Sequence, residues 1–492
     1  MQVPFGEWLP DQPEHGKKGA NVATNVYHAA NTYKRFPSLV AYSSNTTSTD
    51  SKGAGSFRDN SNTVYNFVAT RTNIYQLASG AFTSRKASLT GTATDFWTFT
   101  QFGEYVIASN GVDQPQYYLM GTSTNFANLN AIATGNPIFR VSGVVRDFLV
   151  AGNIVNATNR IQWSGINDIT EWTAGTSQSD SQDLPGSGGR VVHITSGEIG
   201  YVFRQNQIVR MDYVGGNTVF RLSVISPNRG AMYGRTVCQD NRQIFFYADD
   251  GFYQINGDQI IPIGVEKVNR FFDLDLNKAY ADRICAAVDP FKQLAMWLYP
   301  SASNTTNTTG ICDKIIIYNY VTQKWSLADA SASTIFAQFV GAYTVELMDI
   351  LSQNLENINA ALDTDFWSGG QVLLGGIDSD YKAAIFSGTA NECEIETSEL
   401  EPFPGLRTNI TGVRPIVDAD ATLTVKTRER LADTESETSS VSMRDSGINP
   451  VRKSGRYVRA NVKVPSGTIF THAQGVDFVA SRAGTRWVIK LI

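Results

Sequence analysis

The chain has 492 residues, too many for one ordinary core and enough for about two to four domains or a single large barrel or propeller. Only 18% of residues are charged and 42% are apolar, with Asn, Ser, Thr and Gly filling the difference, which excludes an architecture of long surface helices and favours turns and short strands. The formal net charge of -5 excludes a chain that binds polyanions over its whole surface.

In chain order, the first segment is irregular. Pro4, Pro10, Pro13 and Pro37 interrupt regular elements, and residues 43–56 form a Ser/Thr/Gly run. This reads as an extended N-terminal arm over 1–61 that must lie on something else to be ordered. From about Asn62 a unit recurs: a short apolar or alternating strand, a polar turn, and a second aromatic strand. The copies run over 64–69 and 73–77, then 105–109 and 116–119, and later centre on 148–150, 201–203, 244–247 and 294–297. Taking Asn66, Val106, Leu149, Val202, Phe245 and Ala295 as equivalent points, the spacings are 40, 43, 53, 43 and 50 residues. A drifting period of about 40–50 residues with several strands per unit is the signature of propeller blades. A further copy covers 314–321, with Trp325 after the turn. The copies are degenerate, so the expectation is an irregular β-propeller over 62–345 with its blade number open.

Residues 349–362 carry some helical spacing (Ile350, Leu351, Leu355, Ile358, Leu362) and read as a connector. Strand patterns then return at 371–374, 384–386, 393–397, 421–425 and 457–464. The last two alternate cleanly, as antiparallel strands with one buried face do. The fold class expected is therefore all-β, with a connector and β-sandwich-like platform domain over 346–492.

Catalytic and metal-binding patterns are sparse. His15, His28, His193 and His472 have no metal-ligand spacing, and each reads as a surface or turn residue. The glycine-rich run 184–190 lacks the Lys-Ser/Thr and the following helix of a phosphate-binding loop, so it reads as a connection between blades. A propeller glycosidase would need a convergent carboxylate pair. Asp180, Asp183, Asp249 and Asp250 are candidates, but all lie in turn-like polar runs. No catalytic, cofactor-binding or metal residue is expected. Cys238, Cys285, Cys312 and Cys393 lack paired spacing and read as buried free thiols. The opening Met1 to Gly6 does not resemble a signal peptide, and no run of 18 apolar residues appears, so no membrane span is expected.

Charge is unevenly placed. Residues 401–492 hold 14 Lys+Arg against 9 Asp+Glu, a balance of +5, which leaves 27 against 37, or -10, for residues 1–400. Within 451–492 eight basic residues face one acid, Asp477. Such a run meets DNA phosphates or an acidic protein rim, or is a solvated sheet face.

Several motifs occur in an order that resembles the tail nozzle (hub), or packaged-DNA-stabilisation, family of short-tailed bacteriophages. They are Pro4-Phe5-Gly6-Glu7-Trp8-Leu9-Pro10-Asp11, Phe36-Pro37-Ser38, and Phe102-Gly103 before a Val/Ile strand. Arg160-Ile161-Gln162-Trp163-Ser164-Gly165 follows, with Trp172 and Gln182-Asp183-Leu184-Pro185. The last are Gly412-Val413-Arg414-Pro415, Thr427-Arg428-Glu429 and Gly455-Arg456-Tyr457-Val458-Arg459. The resemblance runs through nearly the whole chain. It implies a structural virion protein, not an enzyme, without cofactor. It also implies a homohexameric ring that extends the DNA channel below the portal and its adaptor and retains packaged DNA until ejection. Expected partners are further copies of the chain, the tail adaptor protein, a tail needle, and fibre or spike proteins. Genomic DNA would pass without sequence-specific binding. Arg452, Lys453, Arg456 and Arg459 are the candidate adaptor-docking residues. The competing expectations are a phage receptor- or carbohydrate-binding propeller and a propeller hydrolase.

Overall fold

A computed structural model describes residues 1–216, 218–240, 243–339 and 372–483. Most of these residues are in antiparallel strands. Among them, helix is confined to the α-helix Asn269–Asp275 and three short 3-10 turns. No helix of the described residues is long and apolar enough to cross a membrane.

Five separate four-stranded sheets follow one another along the chain. Blade 1 runs from Gly53–Arg58 to Ala81–Lys86, and blade 2 from Thr98–Phe102 to Ala127–Asn128. Blade 3 runs from Phe139–Val145 to Asp180–Asp183, blade 4 from Val191–Ile194 to Phe220–Ser226, and blade 5 from Cys238–Asp240 to Gln259–Pro262. Blade 6 comprises Cys285–Asp289, Leu294–Tyr299, Cys312–Asn319 and the first half of the 16-residue strand Lys324–Phe339. That long strand crosses from the rim to the centre. Its second half pairs with Val372–Asp378, which pairs with Ala383–Phe386, which pairs with Leu39–Ala41. These four pieces form a seventh blade, closed by a strand from the N-terminal segment. The described residues thus make a seven-bladed propeller.

The ring follows from period-2 side-chain alternation on sheets that are apolar on both faces. In blade 3, Phe148 and Val150 face blade 4, whereas Leu149 and Ala151 face blade 2. In blade 6, Ala295, Trp297 and Tyr299 face blade 5, whereas Leu294, Met296 and Leu298 face blade 7. Each of the seven gaps between neighbouring blades holds one apolar cluster. Among the described residues the cluster between blades 7 and 1 is the smallest, built on Val68, Leu77, Phe82, Ile377 and Ala383.

Beside the propeller lies a β-sandwich made by both ends of the chain. One sheet contains Gln2–Pro4, Val26–Ala29, Thr32–Arg35, Thr408–Val417, Asn449–Gly455 and Ala473–Arg482. The facing sheet contains Val22–Thr24, Cys393–Glu396, Thr422–Arg428 and Tyr457–Val464. Ile410, Val413, Val476 and Phe478 pack against Ile395, Leu423, Val425 and Val462, and this core is continuous with the gap between blades 5 and 6. Asn25 joins the two parts. It takes a left-handed conformation at φ 60, which Asn adopts more readily than most residues. Its backbone N–H donates to Leu327 O at 2.8 Å, and its side chain donates to Asp329 Oδ2 and Glu392 O.

The strands cross the boundaries read from the sequence. Residues 1–61 do not form a separate arm: they supply strands to the sandwich, to blade 7 and to blade 1, because each strand is too short to be stable without a sheet to extend. Two strands expected in the C-terminal platform, at 371–374 and 384–386, belong to blade 7. The connector expected at 349–362 lies outside the described residues.

Trp325 donates its indole N–H to Ile263 O at 2.9 Å and packs among Trp297, Tyr318 and Phe252. Trp325→Ala is expected to lower stability by about 3–5 kcal/mol in chemical denaturation. Along the closing strand, Tyr42 N–H donates to Ala383 O, so by antiparallel alternation Val40 is the next hydrogen-bonded position opposite Ile385. Val40→Pro removes that strand's N–H from Ile385 O, which keeps only the Ser387 N–H at 3.0 Å, and should cost about 0.5–1.5 kcal/mol, the net value of one ordinary hydrogen bond. Faster amide exchange in blade 7 than in blade 4 would locate the loss.

Candidate functional site

The four basic residues singled out in the sequence do not form one patch. Arg452 and Lys453 lie on Asn449–Gly455, an edge strand of the sandwich. Arg452 is exposed and has no acidic partner among the described residues. Lys453 donates to Ser436 Oγ at 2.6 Å and to Glu437 O at 3.3 Å. Cations on an edge strand also discourage pairing with another chain. Arg456 pairs with Glu401 at 2.5 Å and lies against the Tyr457 ring.

Arg459 differs. It lies on the central strand Tyr457–Val464 and is buried, with carboxylates on three sides: Glu14 at 3.0 Å, Glu396 at 3.1 Å, and Glu435. Arg428, on the neighbouring strand, forms a two-pronged pair with Glu399 at 2.6 Å for each prong. Lys426 pairs with Glu396 at 2.7 Å. Glu14 comes from the N-terminal segment and Glu396 and Glu399 from the segment beyond blade 7, so the network ties three distant stretches together. Burial alone would raise the Glu14 carboxyl, but its hydrogen bond to Arg459 and the charges of Arg459 and Arg428 outweigh that and hold it below its ordinary range. This is a structural joint, and Arg459 is not available to a partner.

The acids considered for hydrolysis are dispersed. Asp183 is exposed and paired with Arg160 at 2.6 Å. Asp250 pairs with Arg229 at 2.6 Å and accepts from the Tyr253 hydroxyl. Asp180 accepts the N–H of Ser181. The histidines are equally scattered. His15 packs edge-on against Tyr457, and His472 sits beside Asp418. Burial, with Lys324 nearby, pushes His28 down to about 4, and burial does the same to His193. Among the described residues no group of three or more His, Cys, Asp and Glu is arranged to hold a metal ion. All four cysteines are buried and unpaired.

The glycine-rich run has the opposite polarity from a phosphate cradle. It connects blades 3 and 4, and its carbonyls surround the buried guanidinium of Arg204. Pro185 O accepts at 2.8 Å, Gly189 O at 2.9 Å and Gly186 O at 3.2 Å, with Gln207 Oε1 at 2.6 Å. Gly188 closes the wrap, since a Cβ there would meet Arg204 Nη1 at 2.7 Å.

The sequence gives little warning of what lies on the propeller axis. The inner strands enter from one side, where the connections between blades meet. At that end lies a cavity of about 310 Å³ lined by residues of all seven blades. Its charged residues are Arg140, Arg190, Arg235 and Asp282. Signal for it in the sequence is slight: one basic residue at or near the start of several inner strands, invisible until the strands are ringed.

No family model matches the chain, and no curated protein matches it. Among solved structures it is similar to a chain of the "Crystal Structure of Mitotic Checkpoint Complex", with a TM-score of 0.40 and 10% identity, over 73% of this chain and 95% of that one. It is also similar to apo AztD from Citrobacter koseri, with a TM-score of 0.33 and 13% identity, over 56% and 86% of the respective chains.

Arg459→Met removes the cation from Glu14, Glu396 and Glu435 and should cost about 3–5 kcal/mol, as breaking a buried pair does. A carboxylate whose folded pKa is depressed adds stability above its ordinary value, and loses it as pH falls through the folded value. The stability gap between wild type and this variant is therefore expected to hold at neutral pH and to shrink below about pH 4.5, measured by urea denaturation across pH.

Proposed function

We propose that this protein is a structural component of a virus particle, the nozzle subunit of a short phage tail, and not an enzyme. The motifs that resemble that family supply the reading. The observation that supports it best is where the chain places its buried charge. Arg459, Arg428 and Lys426 bind Glu14, Glu396, Glu399 and Glu435 across three separate stretches, at the sandwich and not in a cleft. Such a network fixes the sandwich to the N-terminal segment, which in turn closes the propeller. A rigid two-part block of this kind suits a ring subunit that must hold a pressurised duplex without deforming.

In this reading copies of the chain form a ring, and DNA passes along the axis of the ring. The cavity at the end of the propeller axis is not that passage, because about 310 Å³ has no room for a duplex whose major groove alone is about 12 Å wide. The acidic balance of residues 1–400, 27 basic against 37 acidic, suits a wall over which a polyanion slides without sticking. Arg452 and Lys453, on an exposed edge, are the cations left for a rim contact with the adaptor, where charge sets register and association rate more than affinity. The partners are further copies of the chain, the adaptor, and the needle, fibre or spike proteins, and the place of action is the virion tail.

Electron microscopy and sedimentation of the purified chain, alone and with the adaptor ring of its own particle, test this. A ring of identical subunits docked on the adaptor is the expected result. Arg452→Gln with Lys453→Gln should slow docking severalfold at low salt and leave weak duplex-DNA binding unchanged. A chain that stays monomeric with the adaptor present overturns the reading, as does saccharide-dependent binding by the monomer.

A further inference from the structure

The cavity on the propeller axis has a chemical character that the nozzle reading neither needs nor explains. Its cations stand where inner strands begin: Arg140 at the start of blade 3, Arg190 just before blade 4, and Arg235 in the 3-10 turn before blade 5. Lys52, before blade 1, and Arg283, before blade 6, stand just behind. Like charges gathered at one end of a barrel repel one another, and in a protein-walled space the repulsion is several times stronger than in water.

Acids relieve only part of it. Arg140 is neutralised by Asp95 at 2.7 Å, and Lys52 by Asp50 at 2.8 Å. Arg283 is held by the carbonyls of Thr309 and Gly310, which solvate its charge without cancelling it. Arg235 donates to the Thr334 hydroxyl at 3.0 Å and lies over the Phe96 ring at 4.5 Å, with no carboxylate partner among the described residues. Arg190 is exposed to the cavity mouth and has no acidic partner among the described residues either. Asp282 is the one acid in the lining. His193, also in the lining, is neutral at physiological pH because burial disfavours its charged form.

We propose that this cavity is a binding site for a small anion whose phosphate or carboxylate oxygens are held by Arg190 and Arg235. A guanidinium presents two parallel N–H donors that match a carboxylate or phosphate. The volume sits at the lower end of the range for small-molecule sites, which admits a compact ligand and excludes a nucleic acid or a peptide. Phe96 and the Thr334 hydroxyl hold the Arg235 guanidinium in the cavity lining. The ligand bridges connections from separate blades, so it ties the ring together at the end opposite its first hairpins. The inference stands on the propeller alone and is independent of the nozzle reading.

Inorganic phosphate and citrate, titrated at ionic strength held constant with sodium chloride, separate the two oxyanion sources by calorimetry and thermal melting. One of them is expected to raise the melting temperature and to bind with a dissociation constant of about 1 mM or tighter. Arg190→Gln with Arg235→Gln should weaken that binding at least tenfold, while Arg160→Gln, on the exposed pair with Asp183, should leave it unchanged. Because Arg235 packs on Phe96, Arg190→Gln alone is the safeguard: it removes no packed contact and should weaken binding severalfold. No effect of either anion beyond the chloride control overturns the proposal. So does binding that Arg190→Gln leaves intact.

Discussion

The structure depends on one constraint: every blade is apolar on both faces, so none can be left uncovered on either side. A sheet with one wet face would allow an open row. Here the second strand of each of the first six blades sends alternate residues into two different clusters, as Phe148 and Leu149 do in blade 3. An open arc would leave two large apolar faces in water, at about 25 cal/mol for each Å² exposed. Closing the ring removes both. The chain closes it with a blade assembled from three separated stretches, and the last of its strands is Leu39–Ala41.

That closure dictates the path of the N-terminal segment. To place residues 39–41 at the rim of blade 7, the chain must leave the sandwich after Arg35 and cross at Phe36, which packs against Phe386. The sandwich cannot then be an independent appendage. Its strand Val22–Thr24 pairs both with Cys393–Glu396 and, through Thr24, with Leu327 of blade 6. Asn25 turns the chain at that junction in a conformation that a β-branched residue would resist. Sandwich and propeller share one continuous core at the gap between blades 5 and 6.

The same constraint explains which parts of the fold are legible in the sequence. Asn66, Val106, Leu149, Val202, Phe245 and Ala295 all lie on the second strand of their blades, because that strand is buried on both faces and reads as a dense apolar run. First strands such as Cys238–Asp240 and outer strands such as Asp180–Asp183 are short or polar, and give no signal. Blade 7 is invisible as a repeat because its strands are not consecutive. Composition marks the Ser/Thr-rich arm as needing a support, but it does not name the sheet that a three-residue strand extends. Counting charges along 451–492 also fails to separate Arg452 from Arg459. The carboxylates that bury Arg459 arrive from residues 14, 396 and 435, one strand end and two connecting segments that only the folded chain brings together.

Charge in this molecule therefore has two fates, set by topology. In the sandwich, segments from distant parts of the chain bring acids beside the cations of two paired strands, and the cations meet carboxylates as they are buried. On the propeller axis, equivalent positions of successive blades converge, so residues of like sign that stand about 45–50 residues apart in sequence, such as Arg140, Arg190 and Arg235, are forced into one small space. Pairing there depends on whether a neighbouring connection carries an acid, as that holding Asp95 does for Arg140. Where it does not, the charge is left facing the cavity. Repetition, which makes the ring stable, is thus also what concentrates unpaired charge at its centre, and a ligand of opposite sign is the simplest way for such a ring to lower its own electrostatic energy.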